Sequence, residues 1–400
     1  MRPLTLRQRG AAVIAAAALL GSGLLGCAGH ESRTATALNA LDRGAPDEAI
    51  AALNAELGVA DRADAPALVG DNALLLLDRG TVLQSVGDWK GSARDLGAAD
   101  KAIDVLDLSR GASSEIGKYL FSDSTGPYKA PAYEKLMVNT INLVNYLALA
   151  DTTGAKVEAR RLAVMQKYVR ENEEEQGLLG IGSYLAGFAF EKGGDKDEAL
   201  NFYDEALHHA QYASLRDPLR ALTQGKKRSP GIDALLGDAG ALAPVEETGE
   251  AELLIVIGFG RVPQKIPKRI PIGLALTLVA NDISPGDRAQ ANELAARGAV
   301  TWVNFPVLGP SRGSYAVPTF SLDGKAQELE QALDVEAEVR ATWEKKEPTI
   351  ILSAITRMMT RMAAGAITEG ATKAAGGKDS GVAAVGLLLG LASTVTLTAL

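Results

Sequence analysis

Cysteine and histidine are scarce in this 400-residue sequence, and each scarcity excludes a kind of site. Cys27 is the only cysteine, so the chain after it has no thiol for a disulfide or a thiolate metal site. The histidines are His30 and the adjacent His208 and His209. Neighbouring side chains point about 100° apart on a helix, so this pair cannot hold one ion together. The sequence predicts neither a metal nor a cofactor.

Positive charge and aromatic residues are also in short supply. The formal net charge is −8, which argues against a general nucleic-acid binder. Aromatic residues make up 5% of the chain, whereas alanine and leucine are abundant. This composition favours closely packed helices.

The first part of the chain is organised as a secretory signal. Arg2, Arg7 and Arg9 give a positive start, and Ala11–Leu20 is an uncharged apolar run. An uncleaved signal anchor is the alternative, since residues 10–29 carry no charge and are long enough to span a bilayer.

The end of this segment, Leu24-Leu25-Gly26-Cys27, resembles the signal of bacterial lipoproteins. The resemblance implies cleavage before Cys27 and acylation of that residue, and several acyl chains hold a protein stably on a membrane. Ala28 in the next position favours the outer membrane over retention in the inner one. We therefore expect a lipid-anchored envelope protein that faces the periplasm.

Residues 184–207 carry a pattern of small and large residues that predicts a helical hairpin. Gly187 is followed by Phe190, Ala199, Tyr203 and Ala206, the order found in a tetratricopeptide repeat, with a turn at residues 193–195. Small residues facing large ones let two antiparallel helices approach closely. The same frame fits three earlier segments less well: Gly80, Leu83, Ser92, Leu96 and Ala99; Leu143, Tyr146, Ala155 and Ala159; and Ala37, Ala40, Ala49 and Leu53.

Equivalent positions in the four segments are 43, 63 and 44 residues apart, whereas the usual period is about 34. The fold predicted is therefore mainly α, with a degenerate repeat array rather than a regular solenoid. An irregular helical bundle is the alternative. Residues 113–131 are rich in Ser, Gly and Pro and predict a long loop.

A change of pattern after residue 226 predicts a small α/β module and then C-terminal helices. Residues 226–230 and 237–249 have the composition of linkers. The predicted strands are residues 252–257, 270–279 and 299–305, with a helix from Ser284 to Gly298. Two helices are expected over residues 334–346 and 349–373, separated by Pro348. The predicted domains are a signal peptide at 1–26, a helical domain at 27–245, the module at 250–322 and the C-terminal helices at 325–400.

The last 21 residues, 380–400, are uncharged and contain glycines at 386 and 390, a spacing that favours close packing of membrane helices. The segment could insert into a membrane as a second contact. A helix buried against the protein is the alternative.

Several scattered motifs resemble an uncharacterised family of bacterial periplasmic lipoproteins with a tetratricopeptide-like front. They are Tyr133-Glu134, Asn145-Tyr146, Asp151, residues 157–161, residues 253–258, Pro263, Lys265, residues 269–271, residues 334–337 and residues 348–351. The resemblance implies a periplasm-facing lipoprotein, and it supplies no catalytic residue.

The motifs that could indicate an enzyme lack their necessary context. Residues 309–313 match the G-x-S-x-G nucleophile elbow around Ser311, but no helix is expected after it and no histidine follows it. Gly258 and Gly260 follow a predicted strand without the third glycine of a dinucleotide site. The sequence predicts no catalytic residue.

The expected function is a non-catalytic scaffold that binds an envelope protein through its repeats. A membrane-inserting or oligomer-forming lipoprotein that uses residues 380–400 is the first alternative, and a cell-wall enzyme is the second. Lys265, Lys268 and Arg269 could contact anionic lipid or glycan, or form a solvated strand edge. The candidate partner-binding residues are Tyr133, Glu134, Tyr146, Glu158, Arg160, Arg161 and Tyr203.

Overall fold

A computed structural model describes residues 30–69, 72–102, 104–105, 129–130, 132–172, 179–237, 252–281, 283, 285–296, 302–311 and 316–373. The fold is mainly α with short strands, as predicted. The chain divides into two compact units: the first holds the described residues up to Ala102, and the second holds those from Asp104 onward.

Two helical hairpins build the first unit. Helices α1 (His30–Asp42) and α2 (Pro46–Leu57) form one hairpin, and α3 (Asn72–Ser85) and α4 (Trp89–Ala102) form the other. Helix α2 packs on α3. The predicted packing positions are buried, among them Ala40, Ala49, Leu83, Leu96 and Ala99.

The helical part of the second unit follows the same plan. Strands β1 (Asp104–Val105) and β2 (Lys129–Ala130) form a parallel pair. Helices α5 (Ala132–Ala148) and α6 (Thr152–Asn172) form a hairpin that packs on the hairpin of α7 (Leu179–Lys192) and α8 (Lys196–His209). A 3₁₀ turn (Ala213–Leu215) and the helices α9 (Arg216–Leu222) and α10 (Pro230–Leu236) close this part. Helix α10 lies between the two stretches of linker composition, and Ser229 caps it by accepting a hydrogen bond from the Ile232 amide.

The four hairpins share one turn geometry. The turn residues Gly44, Gly87, Ala150 and Gly194 all have a positive φ. The next residue in each turn donates its amide to a carbonyl five positions earlier, at 2.9 Å. This bond satisfies a carbonyl at the end of the first helix, as in a Schellman motif. The repeat positions and turns predicted from the sequence are therefore present in the structure.

Close helix packing explains the glycine at the start of the repeat pattern. A Cβ atom on Gly187 would lie 2.6 Å from Cε1 of Tyr203, and one on Gly80 would lie 2.9 Å from Cγ of Leu96. Only glycine leaves room for the facing side chain at these two positions.

An antiparallel strand pair and one long helix form the core of the α/β module. Strand β3 (Lys265–Pro271) pairs with β4 (Trp302–Leu308), from Lys265 opposite Leu308 to Pro271 opposite Trp302. Helices α11 (Ile272–Leu278) and α12 (Pro285–Ala296) lie between them in sequence, and β5 (Phe320–Leu322) and β6 (Lys325–Gln327) form a hairpin. Helix α13 (Val335–Lys373) contributes Ile350, Ile351, Ala354 and Ile355 to the same core as Val303 and Phe305.

Three predictions for this region are wrong in type or extent. Residues 252–257 have a β-prone composition, but they form no strand because no neighbouring strand pairs with them among the described residues. The expected strand 270–279 is mostly helix α11, whose buried residues Ile272, Ala275 and Leu276 follow a helical period that continues to the buried Val279 at its C-terminal cap. The two expected C-terminal helices are one helix that continues through Pro348. The predicted strand 299–305 and the helix from Ser284 correspond, within the described residues, to β4, which continues to Leu308, and to α12.

Cys27, most of the 113–131 loop and the 380–400 segment lie outside the described residues. Within the described ranges, no helix combines the length and the apolar character needed to cross a membrane.

Candidate protein-binding surface

Helix α6 has an exposed face that contains both apolar and basic residues. Its buried residues include Ala155, Glu158, Ala159 and Leu162, which pack toward the neighbouring helices. Its opposite side carries Val157, Arg160, Arg161 and Val164 at positions i, i+3, i+4 and i+7, which we call the outer stripe. Val157 is 42% exposed and Val164 is 70% exposed. Two exposed valines on either side of two arginines form an apolar and positively charged strip on one helix.

An aromatic ring of the next hairpin lies beneath Arg160. The guanidinium carbon of Arg160 and the amine of Lys156 each lie 5.5 Å from the centre of the Phe190 ring. Phe190 is buried and stacks on Phe202 at 5.3 Å. A cation over an aromatic face is attracted by the ring quadrupole, so this contact orients Arg160 without neutralising its charge. No carboxylate pairs with Arg160 in the described part of the chain.

A buried carboxylate positions the second arginine. Glu158 lies in the interior, where it accepts hydrogen bonds from Nδ2 of Asn139 at 3.2 Å and from Nη1 of Arg161 at 2.8 Å. The Arg161 side chain is itself exposed. Glu158 therefore holds Arg161 in place from below and offers little surface to a partner.

Tyr146 and Tyr203, also predicted to bind a partner, differ in exposure. Tyr203 is 1% exposed, packs on Gly187 and donates its hydroxyl to Glu191 at 2.6 Å. Burial raises the pKa of its phenol, so the group stays neutral. Tyr146 is half-buried, and burial, aided by the nearby Glu158 carboxylate, raises its pKa as well.

The other predicted residues, Tyr133 and Glu134, lie at the start of α5. They belong to a different helix from the outer stripe, which lies on α6. Glu134 is half-buried in the first turn, and the side chain of Tyr133 is outside the description. Of the seven predicted residues, the structure brings Tyr146 of α5 close to Glu158 and Arg161 of α6, and Arg160 lies beside them on α6. Tyr203 is a core residue of the α7–α8 hairpin.

An extended segment of the chain itself docks on the 3₁₀ turn that follows α8, a feature that the sequence did not indicate. We call residues 328–334 the acidic strap. The carboxylate of Glu330 accepts the Ala213 amide at 2.5 Å and the Ser214 amide and hydroxyl at 3.3 and 2.6 Å. The hydroxyl of Tyr212 donates to the Ala332 carbonyl at 3.4 Å, and Ala332 packs on the helical core. Amides at a helix start bind carboxylates because they have no partner within the helix.

The serine of the G-x-S-x-G motif has a carboxylate partner. The Ser311 hydroxyl donates to Glu336, and Arg340 donates to the same carboxylate at 2.8 Å. These two hydrogen bonds lower the pKa of Glu336, and the bond from Ser311 contributes most. The carboxylate is therefore a weaker base. His209 lies 3.1 Å from Glu205 at the end of α8. Residues 316–319 form no helix after the motif.

Neither a metal-binding arrangement nor a related protein adds to these observations. In the ranges that the structure describes, no cluster of His, Cys, Asp or Glu has the arrangement of a metal site. No protein-family model and no curated protein matches the sequence. The functional argument therefore depends on the residues and contacts described above.

Proposed function

We propose that this protein is a lipid-anchored scaffold of the cell envelope that binds a partner protein through its helical hairpins and catalyses no reaction. The outer stripe of α6 is the observation that supports partner binding most directly. The signal-like residues before Cys27 support the lipid anchor, on the outer membrane and facing the periplasm. The loose resemblance of several motifs to periplasmic lipoproteins favours the same location.

The chemistry of the outer stripe specifies the kind of partner. Exposed valines favour apolar side chains, and the guanidinium groups of Arg160 and Arg161 favour carboxylates, which arginine binds with two parallel hydrogen bonds. Arginine is also enriched among residues that dominate binding energy at interfaces. We expect the partner to present a segment in which apolar residues alternate with acidic residues.

Glu330 of the acidic strap supports this expectation from within the chain. Its carboxylate lies against the Ala213 and Ser214 amides, so the helical part of this unit already accepts an acidic extended segment. The strap occupies the 3₁₀ turn after α8, whereas the outer stripe remains exposed.

Capture of crosslinked protein from intact envelopes, followed by mass spectrometry, tests the proposal. The double variant Arg160→Ala/Val164→Ser should lose a defined set of proteins that the wild type retains. Lys196→Ala, an exposed change on the next hairpin, is the matched control, and Ser311→Ala tests the serine motif. Both should retain the set. Retention of the same set by the double variant, or recovery of lipid or glycan without any protein, would contradict the proposal.

The anchor is tested separately with Cys27→Ala. This variant should fail to incorporate labelled palmitate and should leave the membrane fraction without detergent. If it remains in the membrane without acylation, an uncleaved signal anchor or insertion by residues 380–400 would replace the lipoprotein interpretation.

A further inference from the structure

The start of the α/β module is basic and apolar, in contrast to the rest of this acidic chain. Between Glu252 and Asp282 the sequence contains four basic residues and no carboxylate. Many of the large apolar side chains in this stretch are exposed: Leu253, Val256, Ile257, Phe259, Val262, Leu274 and Leu278. A soluble protein surface seldom combines so many exposed apolar groups with charge of one sign unless it contacts something.

Two basic residues and a tryptophan share one face of the β3–β4 pair. Lys265 and Arg269 are four positions apart on β3 and therefore lie on the same side of the sheet. The Arg269 guanidinium lies 5.1 Å from the centre of the Trp302 ring, and the ring is 45% exposed. Lys265 contacts the ring of Trp343 at 5.7 Å. Within the described chain, no carboxylate pairs with Lys265 or Arg269.

Helix α11 places apolar side chains directly after this strand. It begins at Ile272, immediately after the last residue of β3, so no loop separates the two elements. Leu274 and Leu278 lie one turn apart on its outer side and are 50% and 49% exposed. The opposite side, with Ala275 and Leu276, packs in the core. We call Lys265, Arg269, Trp302, Leu274 and Leu278 the basic–aromatic patch.

We infer that the basic–aromatic patch docks on a membrane surface that contains anionic phospholipids. Lysine and arginine are attracted to lipid phosphates, tryptophan favours the level of the headgroups, and leucine gains free energy when it leaves water. The patch supplies all three kinds of group in adjacent elements. The basic–aromatic patch is thus a second contact with the bilayer, on a part of the chain that is far in sequence from Cys27.

A second copy of the chain fits this patch less well than a membrane does. A two-fold dimer would place the patch against itself, because the same surface is used by both subunits. Lys265 and Arg269 would then face their own counterparts, and like charges in contact are unfavourable. The inference goes beyond the proposed partner binding, since it uses neither the outer stripe nor the acidic strap.

Fluorescence of Trp302 in the full-length protein tests the inference. The double change Trp89→Phe/Trp343→Phe leaves Trp302 as the only tryptophan. This protein is reconstituted into phosphatidylcholine vesicles with or without phosphatidylglycerol, using brominated lipids as quenchers. We expect quenching of Trp302 only with phosphatidylglycerol, and its loss at high salt.

Charge reversal supplies the decisive comparison. Adding Lys265→Glu/Arg269→Glu should weaken docking at least about 25-fold, roughly fivefold for each basic residue lost, and so remove the quenching. Lys90→Glu/Lys227→Glu reverses two other exposed lysines and should leave the quenching unchanged. Leu274→Ser/Leu278→Ser should reduce quenching without changing its dependence on phosphatidylglycerol.

Three results would overturn the inference. The first is equal quenching in vesicles with and without phosphatidylglycerol, and the second is no quenching in either. The third is a Trp302 emission that shifts with protein concentration in the absence of lipid, which would assign the patch to a protein contact. None of these results depends on whether the outer stripe binds its partner.

Discussion

The guanidinium of Arg79 donates to both carboxylate oxygens of Asp95 inside the first unit, at 2.6 and 3.0 Å. Both side chains are buried, and Arg79 also donates to Asn54 and to the Asp64 carbonyl. One side chain on α3 thus connects α2, α4 and the segment between the hairpins. Each guanidinium nitrogen has a partner, which favours the tolerance of a buried ion pair.

Removal of Asp95 should destabilise the first unit strongly. In Asp95→Ala the buried charge of Arg79 loses its counter-ion, which costs about 3–5 kcal/mol. Hydrogen exchange of the α3 and α4 amides would report this loss. Asp47→Ala removes an exposed ion pair with Arg62 and should cost at most about 1 kcal/mol. Equal effects of the two changes would show that the buried pair has no special role.

The glycines of the helices should respond to alanine in opposite directions. Gly187→Ala pushes a methyl group against the buried Tyr203 ring and should lower stability by about 1–3 kcal/mol. Gly97→Ala adds its methyl group to open space on α4 and should raise stability by up to about 1 kcal/mol. Urea denaturation of both variants measures the difference. A stabilising Gly187→Ala would refute the close-packing explanation.

The hairpins could be predicted from the sequence because the pattern and the structure depend on the same property. Side-chain volume at a few spaced positions determines whether two helices can approach each other closely. The contact of Gly187 with Tyr203 is an example of such a position. The module could not be predicted equally well. Residues 252–257 have strand propensity, but a strand also needs a neighbour, which local sequence does not specify. Pro348 suggested a helix end, whereas burial of Ile350 and Ile351 keeps the helix continuous.

The candidate surface could be predicted only in part. Arg160 and Arg161 were suggested by their charge, but Val157 and Val164 were not, because valine is ordinarily a buried residue. Their exposure depends on which side of α6 the neighbouring helices cover. Tyr203 illustrates the opposite error, since a tyrosine that faces a glycine fills the core.

Acid should weaken the contact between α6 and α8. The hydrogen bond from His209, with Arg170, lowers the pKa of Glu205 from its ordinary 4.5 to about 2. A lowered pKa contributes stability that is fully present above the unfolded value and is lost as the pH falls toward the folded one. Wild-type stability should therefore decline between about pH 4.5 and pH 2. Glu205→Gln should flatten this decline, measured as the urea midpoint against pH.

Glu198→Gln is the control for that experiment. Glu198 lies on the same helix but is exposed. Its replacement should leave the pH dependence of the urea midpoint as in the wild type. An unchanged pH profile for Glu205→Gln would assign the acid sensitivity to other groups.

Loss of Glu330 should release the acidic strap. Glu330→Ala leaves the Ala213 and Ser214 amides without their acceptor, which costs about 0.5–2 kcal/mol, as at a helix cap. Hydrogen exchange should become faster in residues 328–334 and at residues 213–214. Glu328→Ala removes another exposed carboxylate two positions away and should change neither. Identical exchange in the two variants would mean that the strap is held by Ala332 and its neighbours instead.

Ala150 occupies the left-handed turn position that glycine fills in the other three hairpins. The α5–α6 turn thus keeps its shape without the residue that best tolerates that conformation. Each of these hairpins requires one tight turn and a few side chains of suitable size, and many different amino-acid sequences meet both requirements. Related chains of this kind can lose detectable sequence similarity while their backbones remain alike. Comparison of folds should therefore find relatives that comparison of sequences misses.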